Sequence, residues 1–158
     1  MSCDAVASLF LYFAAAGPVP PGHHLLQIAD VSSPTSVASE PMFAEIIARA
    51  ASLKAQVATY RDAVKASPSA PLAGYDGFKA NIVLLATQDQ AGSDELRKRG
   101  GDSDLKCILH GISQDLPKRL AELDQAAGAG DRDKALREMS YLLNDNVEVI
   151  TAPPAPPV

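Results

Sequence analysis

Four amphipathic stretches, each ended by Gly or Pro, constrain this chain more than any other feature. They run over about Ser39–Ala66, Tyr75–Arg99, Ser103–Ala127 and Asp131–Ile150. Apolar residues recur in them at steps of three and four, the spacing of one helix face, and no stretch alternates as a strand would. Four such helices predict an all-α fold, an antiparallel up-down four-helix bundle. The last two connections, at Gly100-Gly101 and Gly128-Ala129-Gly130, are short, which predicts antiparallel neighbours for helices two, three and four. No repeat of fixed period appears, which argues against a solenoid.

The apolar faces name the core. The first helix offers Phe43, Ile46, Ile47, Ala50, Leu53, Val57, Tyr60 and Val64, and the second Phe78, Ile82, Leu85, Ala86 and Leu96. The third offers Leu105, Ile108, Leu109, Ile112, Leu116, Leu120 and Leu123, and the fourth Leu136, Met139, Leu143, Val147 and Ile150. Ser39 is the expected cap of the first helix, with Pro41 in its first turn, where a missing N–H costs nothing. Asp102 or Ser103 is expected to open the third helix, and Asp131 to cap the fourth. Gly92-Ser93 is a weak spot in the second. Pro117 predicts a kink near Ser113.

Three segments follow: an N-terminal arm over 1–38, the bundle over 39–150 and a Pro-rich tail over 151–158. Residues 5–16 of the arm are largely apolar but too few to span a bilayer, which takes about 20. They hold Phe10, Tyr12 and Phe13, three of the chain's eight aromatics. A strip this greasy is expected to dock on the bundle, a partner or a membrane surface. Gly17–Gly22 reads as a stiff extended linker.

The composition narrows the chemistry. With 158 residues, 47% of them apolar, one domain buries a sufficient core without a metal or disulfide staple. Net charge is −5, and no face gathers Lys and Arg between aromatics, which argues against nucleic acid as a partner. Arg97-Lys98-Arg99 ends a helix, where cations suit the dipole. Cys107 reads as a small buried apolar residue, and whether it pairs with Cys3 is left open.

No catalytic, metal-binding or cofactor-binding set assembles. His23-His24 lacks a third ligand, there is no Glu-x-x-His pair for a bundle metal site, and no Cys-x-x-Cys-His for haem attachment. Carboxylates sit at helix starts or in i,i+4 pairs such as Glu45–Arg49, Asp115–Arg119 and Asp133–Arg137. His110 invites comparison with phosphotransfer bundles, in which a solvent-facing His accepts a phosphoryl group. The residues after it do not place a Lys and a small residue on the next turn, and an ordinary boundary histidine is the favoured reading.

The most distinctive stretch is Tyr141–Ile150, where Asn144, Asp145 and Asn146 stand mid-helix although such residues compete with the backbone there. They read as a solvated face or as a polar contact surface. In this helix, with its Tyr141, Leu142, Leu143, Asn144 and Asn146, and in its Pro-containing arm Gly17–Gly22, the chain resembles the extrinsic four-helix-bundle subunits of photosystem II, the Q-type proteins and their red-lineage algal relatives. That resemblance implies a non-catalytic protein of the thylakoid lumen, membrane-associated but without a transmembrane helix. It would dock on the membrane-embedded complex and stabilise its oxygen-evolving side. The expected contact residues are Phe10, Tyr12, Phe13, Tyr141, Asn144 and Asn146. Two other readings stand beside it: a histidine phosphotransfer module using His110, and a small-ligand or haem-binding bundle.

Overall fold

The computed structural model describes residues 36–69, 71–100 and 104–152. A short 3-10 turn, Val37–Ser39, leads into α1 (Pro41–Ala66), and α2 (Tyr75–Lys98), α3 (Leu105–Gln125) and α4 (Ala129–Thr151) follow. The described residues are helical with no strand, and the four helices form a bundle. The arm with Phe10, Tyr12 and Phe13, Cys3, His23-His24, Asp102, Ser103 and most of the tail lie outside the described residues.

The buried positions explain why these segments pack. On α1 they are Phe43, Ile46, Ala50, Leu53, Val57, Tyr60 and Val64, a strict alternation of three and four. On α2 the same alternation runs through Phe78, Ile82, Leu85, Asp89, Gly92 and Leu96. On α4 it runs through Leu136, Met139, Leu143, Asn146 and Ile150. A mean step of 3.5 keeps one seam facing the partner helices, as in coiled-coil packing. α1 and α3 each pack against both α2 and α4, leaving α1/α3 and α2/α4 as the diagonals.

Local details differ from the expectation where short-range signals competed. Ser39 belongs to the 3-10 turn, and Glu40 stands at the cap of α1 without a side-chain capping bond. Ser36 caps that turn instead, its Oγ accepting from the Ala38 N–H. α4 begins at Ala129 with Gly128 at its cap, which puts Asp131 in the first turn, where its charge suits the dipole. α3 runs unbroken through Pro117. Cys107 is half-buried rather than buried.

Gly92-Ser93 does not interrupt α2. A Cβ at Gly92 would lie 3.2 Å from Phe43 Cε1 and 3.4 Å from Ile46 Cδ1 and Leu109 Cδ1. The glycine is where α1 and α3 close on α2. Ser93 beside it is fully buried, and its Oγ donates to the Lys106 carbonyl at 2.6 Å. Gly92→Val should therefore cost roughly 1–3 kcal/mol through overpacking. The control is Gly111→Val on α3, where nothing lies within 4 Å. Urea unfolding midpoints should separate the two. Equal midpoints would show that the close approach contributes nothing.

Both ends of the bundle are tied. At one, Arg99 donates to Glu40 through two nitrogens, at 2.8 and 2.7 Å, and to Glu95 at 3.3 Å, and Ser36 Oγ donates to the Ile150 carbonyl at 3.2 Å. At the other, Gly74 takes the left-handed backbone that glycine tolerates (φ 68°), which turns the chain into α2. Tyr60 Oη donates to the Ala73 carbonyl at 2.8 Å, and Arg132 Nη1 donates to the Pro68 carbonyl at 2.6 Å.

Candidate functional site

The three residues expected to form a contact surface on α4 fall into three different environments. Tyr141 stands in solvent, 67% exposed. It borders a shallow groove with Asp115 and Arg119 of α3 and with Glu138 and Leu142 of α4. Arg119 Nη1 binds both Glu138 and, at 2.7 Å, Glu122, so the guanidinium is held by two carboxylates at this groove. Asn144 turns to the other flank, where its Oδ1 accepts from Lys54 Nζ of α1.

Asn146 is fully buried within the bundle. The physical reason is its register: it sits three residues after Leu143 and four before Ile150, on the alternation of three and four steps that faces the core. Its Nδ2 donates to Oδ2 of Asp89, also fully buried, at 2.8 Å. The pair thus joins α2 to α4 across the bundle's diagonal. Asp89 Oδ1 and Asn146 Oδ1 are both buried without a hydrogen-bond partner. Burial pushes the Asp89 carboxyl up to about 7, against the opposing effect of the Asn146 hydrogen bond.

A second polar group lies between α2 and α3. Gln90 Oε1 is 2.8 Å from His110 Nδ1 and accepts from Ser113 Oγ at 3.2 Å, while Gln90 Nε2 donates to Asp94 at 3.0 Å. An open groove of about 600 Å³ runs beside it, lined by Val83, Thr87, Gln114 and Pro117 among others. The groove lining includes Asp94, which pairs with Arg97 at 3.1 Å.

Two expected ion pairs are rearranged. Arg49 donates to Gln88 at 2.8 Å and Asn81 at 2.6 Å, and Glu45 accepts from Gln88. Asp115 pairs with Lys118 at 2.8 Å. Asp133–Arg137 forms at 3.2 Å, and Asp133 also accepts from Arg61 at 3.0 Å. Its carboxyl is held below the ordinary range chiefly by that Arg61 bond.

Among the described residues no group of three or more His, Cys, Asp or Glu side chains is arranged to hold a metal ion, and no helix is long and apolar enough to cross a membrane. Asp89, Ser93, Gln90 and Ser113 were not anticipated as a group. For Asp89 the signal was available, because it falls on the alternation of α2. No family model, no curated protein and no solved structure matches this chain.

Proposed function

We propose that this chain is a non-catalytic accessory subunit that docks on a larger, membrane-associated assembly through the outer face of α3 and α4. The observation that carries the reading is Tyr141, a large aromatic ring left 67% exposed beside the fixed Arg119. Tyrosine and arginine are the side chains most often found to anchor protein interfaces. The resemblance of the final helix to extrinsic subunits of photosystem II suggests the assembly, a photosystem on its oxygen-evolving side in the thylakoid lumen.

Behind that face we read an up-and-down antiparallel bundle, with the arm and the Pro-rich tail as extensions. The order of cross-links supports it. Along α1 from Glu40 through Arg49 to Tyr60, the partners on α2 run backwards from Arg99 through Gln88 to Tyr75. Lys54 and Arg61 meet α4 in reverse order too, at Asn144 and Asp133.

The test is binding of the labelled protein to photosystem II membranes stripped of their extrinsic subunits. Saturable binding is expected, weakened about tenfold or more by Tyr141→Ala, a hot-spot loss above about 1.4 kcal/mol. A native protein that does not saturate would end the photosystem reading. Unchanged affinity in the variant would move the docking face elsewhere.

A further inference from the structure

The Asp89–Asn146 contact holds one hydrogen bond and leaves one oxygen of each side chain without a donor. Asn146 Nδ2 donates to Asp89 Oδ2 at 2.8 Å, and the remaining oxygen of each side chain, both named Oδ1, is buried with no donor. A buried acceptor without a donor is costly, and this pair has two of them. A single proton on the Asp89 carboxyl removes both deficits, because a neutral acid and an amide are complementary: each offers one donor and one acceptor.

We propose that Asp89 enters the folded bundle as the neutral acid, donating its hydroxyl to Asn146 Oδ1 while Asn146 Nδ2 donates back, and that release of this proton to solvent loosens the α2–α4 diagonal. The bundle thereby carries a pH-sensitive lock in its core, independent of the docking face.

No neighbouring charge offers Asp89 another way to be satisfied. At its level of the bundle, Glu45 and Arg49 of α1 are engaged with Gln88 and, for Arg49, Asn81. Asp94 of α2 accepts from Gln90 and Arg97, and His110 of α3 is held by Gln90. On α4, Asp145 and Glu148 flank Asn146, and the Asp145 carboxyl is raised chiefly by burial and then by Glu148. The Asp89 shift comes from burial, opposed by the Asn146 hydrogen bond, and none of these charges is among its causes.

The direction of the pH dependence follows. In the unfolded chain Asp89 titrates at its ordinary value near 4. In the bundle it holds its proton up to about 7. Between these limits the folded state binds more protons, so raising the pH favours unfolding. The contribution is whole below about pH 4 and gone above about pH 7. Each pH unit between changes the folding equilibrium by up to about tenfold.

The experiment compares the native protein with Asp89→Asn in denaturant unfolding from pH 4 to 8. An amide at 89 supplies the same donor and acceptor and does not titrate. The variant should gain on the native protein as the pH rises, the ratio of their folding constants growing by more than a hundredfold. A ratio that stays constant with pH would overturn the proposal. A second readout needs no variant: the carboxyl carbon resonance of Asp89 in the native protein should titrate with a midpoint well above 5. A midpoint near 4, as for a carboxylate hydrated by trapped water, would overturn it equally.

Discussion

Phe78→Ala should destabilise the bundle by about 3–5 kcal/mol, read as a lowered urea midpoint at unchanged slope. The ring is 1% exposed. It meets Tyr60 edge-on at 5.1 Å between centroids and lies roughly parallel to Tyr75 at 6.1 Å. Truncation therefore opens a cavity and also removes two ring contacts, each worth about 0.5–1.5 kcal/mol beyond area alone. Tyr60 in turn holds the Ala73 carbonyl, so the loss reaches the turn between α1 and α2. Against a usual total of about 5–15 kcal/mol, one such change brings a domain close to unfolding. Exposed helix pairs such as Lys65–Asp62 compare poorly, at about 0–1 kcal/mol. A loss below about 1 kcal/mol for Phe78→Ala would show that this end of the bundle collapses to refill the space.

The second large effect is expected at Asn146. Asn146→Leu keeps the approximate volume but strips Asp89 of its partner. At pH 4.5 the acid is neutral and left unpaired, costing about 1–3 kcal/mol. At pH 8 the same site must bury an unpaired carboxylate or hold a proton against the solvent, and the cost rises to about 3–5 kcal/mol. Replacing both residues by leucine should recover most of the loss, since two apolar groups leave nothing unsatisfied. A double-mutant cycle at the two pH values measures this coupling. If the double variant is no more stable than Asn146→Leu, the two side chains do not act as a pair.

Much of the helix arrangement was legible because apolar side chains at steps of three and four admit few alternatives. Phe43 through Val64, Phe78 through Leu96 and Leu105 through Leu123 are all read off the spacing, and all are buried except Ile47 and Ile108, which are partly buried. The polar core was missed for a specific reason: residue type was weighed above register. Val147 was placed on the α4 face, yet Asn146 holds the buried position, and Val147 is only partly buried against the core. Asp89 was passed over in the same way. The caps were misplaced because several residues near Ser39 and Asp131 satisfy the same local rule. The cross-helix partners of Arg49 and Arg119 lie beyond any local rule, since spacing along one helix says nothing about the side chains on its neighbour. Tyr141 and Asn144 are adjacent in register yet face different helices, which no single-helix pattern distinguishes.

The bond from Ser36 Oγ to the Ile150 carbonyl sets the entrance to the bundle and the exit from it side by side. In a chain trimmed to 36–152, a short bridge from 152 to 36 would join the bundle into a ring without disturbing a helix. New termini opened in the turn between α1 and α2 would then give a permuted chain with the same core.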